Sequence, residues 1–157
     1  MKITLIFVGK TIKPFLIEGE SEYNNRLKHY IKIDEIVIPE LKNVSKLSTE
    51  EIKIKEGELI LSKIQNTDTV ILLDDKGVSY SSVEFSNWIE QHQIKATKNL
   101  VLIVGGAFGF SKFVYERAQQ KLSLSRMTFS HQMIRVILKE QLYRAYSIIK
   151  GEPYHHK

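Results

Sequence analysis

Two segments of this 157-residue chain carry residue types that could bind a ligand and act on it. Residues 101–109 (VLIVGGAFG) form an apolar run that ends in three closely spaced glycines. Glycine has no Cβ to hold a ligand away from the backbone. In open α/β sheets, ligands bind just past the carboxyl ends of strands. Thirteen residues later comes LSLSRMTFSHQMIRVILKEQLYRAY, residues 122–146. It reads as a short strand, a polar loop and a long helix with basic and aromatic side chains. Two strand ends this close in sequence suggest a small-molecule site. The basic stretch that follows suggests an anionic partner.

The charge distribution agrees with that split. Residues 1–110 hold 14 Lys/Arg against 15 Asp/Glu, whereas residues 111–157 hold 9 against 3. The whole excess of the +5 net charge therefore lies in the last third, with His131, His155 and His156. Such a stretch is either a solvated basic face or a nucleic-acid contact.

Other sites are excluded or weak. Gly9 alone follows the first strand, so the GxGxxG of a dinucleotide fold is missing. No GxxxxGK[ST], GxSxG or HExxH occurs. Asp74-Asp75, ahead of Lys-Gly, reads as turn chemistry before it reads as a site for a hydroxyl or a cation. Scattered His and Asp predict no metal. The chain has no cysteine, which excludes a thiolate centre or nucleophile and fits a reducing cytoplasm. No run nears the ~18 apolar residues of a membrane span. The opening MKITLIFVGK turns polar too soon for a signal peptide and reads as a strand.

The elements that must position these residues alternate. Strands are expected at residues 2–8, 33–38, 69–73, 100–104 and 122–125. Pro14 should open a helix that runs to about Tyr30. Ser48 and Glu51 form a capping box for the second helix. Ser81/Ser82 open a third, around Phe85, Trp88 and Ile89. Ser111 caps a fourth to about Gln120, and Ser130 caps a final helix over residues 131–150, with Gly151 just past its end. Residues 40–50 are the expected mobile loop. The pattern is one α/β domain, residues 1–157, with a parallel sheet and helices on both faces. On the last helix Ile134, Ile137, Leu138, Leu142, Ala145, Ile148 and Ile149 make a core stripe. Met133, Val136, Tyr143 and Tyr146 widen it, which fits either deep burial or a homodimer interface.

Taken together, MKITLIFVGK, YNNRLKHY, EGELILSKI, VILLDDKG, VLIVGGAFGF and the long block from Leu122 to the PYHHK terminus resemble the bacterial ribosomal RNA large subunit methyltransferase H family, within the knotted SPOUT methyltransferase superfamily. The likeness runs nearly end to end. It implies a C-terminal trefoil knot that holds S-adenosylmethionine. Chains otherwise avoid knots, and periodicity does not reveal this one. The resemblance carries cofactor contacts onto Leu73, Gly105, Leu124, Ser125, Arg126, Met127, Thr128 and Phe129. It implies a pseudouridine in 23S rRNA of the assembled ribosome as substrate, methylated at N3, and a homodimer whose subunits share the pocket. One departure is Ser130, where the family usually has proline; serine can cap the helix that proline would preset.

The implied chemistry needs alignment of an already activated methyl group. It also needs a group to accept, or to stabilise the loss of, the N3 proton. His131 and His155 are candidate acceptors, Arg135 a candidate for the anionic base or a phosphate, and Tyr154 for stacking or hydrogen bonding. Arg144 and Lys150 would meet phosphate or solvent. Two rivals are a SPOUT enzyme acting on tRNA and a non-enzymatic ribosome-binding protein.

Overall fold

The computed structural model describes residues 1–156. Five strands form one sheet in the order β2-β1-β4-β3-β5, every pair parallel. They are β1 (Lys2–Val8), β2 (Ile33–Ile38), β3 (Thr69–Ser79), β4 (Asn99–Val104) and β5 (Gln120–Ser123). The helices are α1 (Pro14–Leu27), α2 (Thr49–Leu61), α3 (Ser82–Ile94), α4 (Lys112–Arg117) and α5 (Met133–Ile149).

Alternation along the central strands builds two cores, because successive side chains point to opposite faces. Ile3, Leu5 and Phe7 of β1 and Leu100, Leu102 and Val104 of β4 face one side, where Leu27, Phe85, Leu138 and Leu142 cover them. Thus α1, α5 and α3 form that layer. Ile6, Val8, Val101 and Ile103 face the other side, against Ile60 and Val114 of α2 and α4. Strands buried on both faces read as continuous apolar runs, which is why β1 and β4 are plain in the sequence.

The differences from expectation lie where distant chain decides. β3 continues to Ser79 instead of ending at Leu73. The Asp-Asp-Lys-Gly stretch is a break in register between Leu73 and Val78, after which pairing with β5 resumes. A Cβ on Gly77 would lie 2.6 Å from the backbone of Leu122, so the crossing there requires glycine. β5 spans Gln120–Ser123, not residues 122–125. α4 stops at Arg117 because Gln119 leaves the helix to bond Val70 through backbone and side chain, at 2.9 and 2.6 Å. α1 ends at Leu27 rather than Tyr30. α5 begins at Met133 rather than His131, although Ser130 Oγ does accept from the Met133 N–H at 3.1 Å. At α2 only the Ser48 half of the expected capping box forms; the two-way box is at α3, between Ser81 and Glu84. Residues 40–50 contain one 3-10 turn, Val44–Lys46.

The basic last third is not all surface. Arg135 is 1% exposed and Lys139 not at all. Lys139 Nζ reaches Glu20 at 2.7 Å and Glu35 at 2.8 Å, so α5, α1 and β2 meet at an ion triplet around a buried lysine. Breaking such a pair from one side typically costs ~3–5 kcal/mol, because a charge is left uncompensated. The sequence reading offered Arg135 to an anionic base or a phosphate and counted Lys139 in the basic stretch; in the fold Arg135 is taken up by the carbonyls of Val8, Gly9 and His131 and by Thr11 Oγ1, and Lys139 by two carboxylates far away in the sequence.

α5 is deeply seated through Leu138, Leu142, Ala145 and Tyr146, yet Met133, Val136 and Ile137 stay half-buried. Gly19 lets α1 close on Val136, 3.2 Å from where a Cβ would sit. Beside this face Ile12, Phe15 and Ile17 are 70%, 60% and 48% exposed.

Candidate functional site

A cleft of about 530 Å³ opens at the carboxyl ends of β4 and β5, beside the register break after Leu73 in β3. One wall is Leu73 with Asp74 and Asp75. The floor is Gly105 and Gly106 at the end of β4. The far wall comes from the β5–α5 loop, through Leu124, Ser125, Met127, Thr128 and Phe129, with His131 where that loop enters α5. Two serines shape the loop: Ser123 Oγ donates to the Ser125 carbonyl at 2.9 Å, and Ser125 Oγ accepts from the Met127 N–H at 2.9 Å. Such side chain–backbone bonds fold a short loop locally. Arg126 is exposed and does not line the cleft.

The glycine turn is held by protein groups. The Gly109 N–H closes on the Gly106 carbonyl at 3.2 Å, and Gly109 takes a φ of +81°. A Cβ at Gly105 would stand 2.9 Å from the Phe110 ring, and one at Gly106 would stand 2.7 Å from Glu56 Oε2. The room that these glycines keep is therefore filled in part by the chain's own Phe110 and Glu56.

Glu56 is a half-buried carboxylate under this loop. Desolvation, then the charge of Glu40, raises its pKa above the ordinary 4.5. The fold thus favours its protonated form. That contribution to stability is full below 4.5 and is lost as pH rises through the folded value. Glu56→Gln is therefore expected to raise the melting temperature at neutral pH, with the gain vanishing in acid. Melting curves across pH check both signs.

On the rim, the Tyr115 hydroxyl donates to Asp74 Oδ2 at 2.5 Å. Burial and this bond push the Tyr115 phenol up to about 12. Burial pushes Asp74 up as well, but Tyr115, the Lys76 N–H and the charge of Lys121 outweigh it and keep Asp74 below the usual range. Asp74 therefore offers a fixed acceptor at the cleft. Sequence reading took it for turn chemistry, and it does bind the Lys76 N–H at 2.8 Å as in such a turn.

The four candidate catalytic residues fall in three places. His131 is at the cleft. Arg135 points away from it, into the core beneath α1: its guanidinium donates to the carbonyls of Val8, Gly9 and His131 and to Thr11 Oγ1, at 2.7–3.1 Å. With four bonds inside the fold it is not presented to a base or phosphate. Tyr154 and His155 dock against α5 and α1. The Tyr154 hydroxyl lies 3.1 Å from Glu140 Oε1 and 3.4 Å from Tyr23 Oη, and its ring meets Tyr143 edge-on at 4.6 Å. Burial first, then Tyr23 and Glu140, hold its phenol well above the ordinary value. Arg144 sits 4.8 Å from that ring, 2.6 Å from Glu140 and 3.4 Å from His155 Nδ1. The i,i+4 pair of Glu140 and Arg144 was the sequence signal for this second cluster. Glu140 lies nine residues beyond His131, roughly 13 Å along a helical rise, so within one chain tail and cleft stand apart. Lys157 lies outside the described residues.

The family model described as a predicted SPOUT methyltransferase matches residues 1–155. The chain belongs to the SPOUT methyltransferase family. Similar curated proteins include one from Phocaeicola vulgatus and one from Parabacteroides distasonis, each 52% identical over 157 residues and covering the whole of both chains. One from Flavobacterium johnsoniae is 50% identical with the same coverage. All three are named ribosomal RNA large subunit methyltransferase H. The glycine turn and the β5–α5 loop of this SPOUT methyltransferase lie within the matched residues. Among its described residues no three His, Asp or Glu group as metal ligands would, and no helix is long and apolar enough to cross a membrane.

Proposed function

We propose that the protein transfers a methyl group from S-adenosylmethionine to N3 of a pseudouridine in 23S rRNA of the assembled cytoplasmic ribosome, working as a homodimer. The observation that carries this reading is the cleft itself. Leu73, Gly105, Leu124, Ser125, Met127, Thr128 and Phe129, seven of the eight positions to which the resemblance assigns the cofactor, line one space. Its volume suits a nucleoside-sized ligand. Leu73, Leu124, Met127 and Phe129 would cover the adenine and the methionine chain, backbone groups at Gly105 and Leu124 would meet polar edges, and Asp74 could accept from a hydroxyl. When bound, the cofactor supplies a sulfonium-activated methyl group. The trefoil knot belongs to this proposal as the threading that brings the β5–α5 loop against Leu73 and Gly105.

The chain's part is to bring N3 into line and manage its proton. His131 stands at the cleft for that role. His155 stands with Tyr154 and Arg144, a set that offers an acceptor, a ring to stack on and a cation for the anionic base. Arg144, not Arg135, is the guanidinium available there. Because tail and cleft are apart in one chain, a second copy's tail would complete each cleft. The exposed Ile12, Phe15 and Ile17 beside Met133, Val136 and Ile137 suit that pairing.

Labelled methyl transfer to 70S ribosomes, isolated 50S subunits and free tRNA, all from a strain lacking the gene, tests the reading. Label in 23S rRNA of 70S particles is the expected result. Label in tRNA would replace the substrate, and no transfer with no cofactor binding would leave a non-enzymatic ribosome binder.

A further inference from the structure

α5 takes its side-chain cap from Ser130, not from the residue that directly precedes it: Gln132 has helical backbone angles and makes no capping bond. Its side chain goes elsewhere, with Oε1 accepting from the Ile12 N–H at 3.0 Å. One turn on, Arg135 reaches into the same β1–α1 loop. Nη2 donates to the Val8 carbonyl at 2.7 Å, while Nη1 donates to the Gly9 carbonyl at 2.9 Å and Thr11 Oγ1 at 3.1 Å. Nε turns back to the His131 carbonyl at 2.9 Å. Phe7 lies under the guanidinium, 4.8 Å from its ring centre. Burial works against this cation and lowers its pKa, and the charges of Glu20, Glu35 and Glu40 offset only part of the effect. The Thr11 hydroxyl in turn donates a hydrogen bond to Glu20, which Lys139 also grips.

We propose that Arg135 is a positioning residue for methyl transfer. It ties the carbonyl of His131 to the carboxyl end of β1 and so sets the shape of the cleft-lining residues 124–131. The planar fork is what the task needs. Three of its bonds go to backbone carbonyls in different directions, and an ammonium group on a flexible stem cannot hold that pattern. A core need not contain this cation, since apolar residues of similar volume often serve stability as well or better. The inference rests on the reading of the cleft as the methyl-donor site, and its test includes a measurement that does not depend on that reading.

Arg135→Lys and Arg135→Met are compared with Lys139→Met, which disturbs the same buried charges without touching the His131 carbonyl. In the folded Arg135 variants, amide exchange of residues 124–131 is expected to rise about tenfold or more as the local tie is lost. Methyl-donor affinity and kcat are expected to fall about 10- to 100-fold, with KM for ribosomes unchanged, as for a misplaced reacting group. Lys139→Met is expected to lower the melting temperature and leave exchange in this segment and kcat per folded molecule as they were. If the Arg135 variants do not fold, Gln132→Leu removes the second tie without stranding a charge, and a smaller change in the same direction is expected. The proposal fails if Arg135 or Gln132 variants melt earlier with exchange of 124–131 unaltered, or if Lys139→Met reproduces their kinetics. An inactive wild type with the exchange pattern intact would count against the functional reading alone.

Discussion

A chain ending at Pro153 is expected to fold and bind the methyl donor as the full chain does, yet to transfer about 10²- to 10⁴-fold more slowly, the scale of a lost acid–base group. Tyr154, His155 and His156 line no part of the cleft, so donor affinity has no reason to change. What goes is the Tyr154 ring against Tyr143 and the His155 imidazole beside Arg144. Segments near a chain end are ordinarily dispensable; here Tyr154 packs between Tyr23 of α1 and Tyr143 of α5. Calorimetry and single-turnover transfer separate the two effects. Mixing the shortened chain with a full-length chain whose cleft is blocked adds a second test. If each cleft is completed by the partner's tail, random pairing restores about a quarter of the wild-type sites. Absence of any recovery would confine the tail to its own subunit.

Blocking the cleft is the second large effect. Gly105→Val is expected to weaken donor binding about 10- to 100-fold or more, the range of an overpacked site. The cause differs from simple occupation of ligand space. The new Cβ would come within 2.9 Å of the Phe110 ring, so either that ring or the glycine turn must move. Gly105→Ala should show the same loss in smaller measure. Pairing it with Phe110→Leu should recover part of the affinity, because contacting residues are not additive. An unchanged affinity in Gly105→Val would remove this residue from the site. A loss that Phe110→Leu cannot relieve would mean that the ligand is the clashing partner.

What was legible in the chain divides by range. β1 and β4 are buried on both faces and show as unbroken apolar runs. The caps at Ser48, Ser81, Ser111 and Ser130 depend on the next three residues and were readable for that reason. The second half of β3 was not, because Asp74 to Gly77 carry sound turn chemistry and only β5 pulls the strand onward. The places of Arg135, read as a ligand for the base or a phosphate, and of Lys139, not singled out at all, were hidden for the same physical reason. A cation on a helix is ordinarily solvated, and nothing near them in sequence announces Val8, Gly9, Glu20 or Glu35. The cleft walls at Leu73, Gly105 and the β5–α5 loop came from family likeness; periodicity alone offered only a glycine turn after a strand. Asp74 and Tyr115 meet across 41 positions and were found only in three dimensions.

The measurement that bears most directly on the account is the position of the new methyl group. Ribosomes from a strain lacking the gene are incubated with the protein and S-adenosylmethionine, and the 23S rRNA is digested and read by mass spectrometry. The account predicts one added methyl, on N3 of one pseudouridine, absent without the protein. A methyl on ribose, on another base or on copurified tRNA would contradict it.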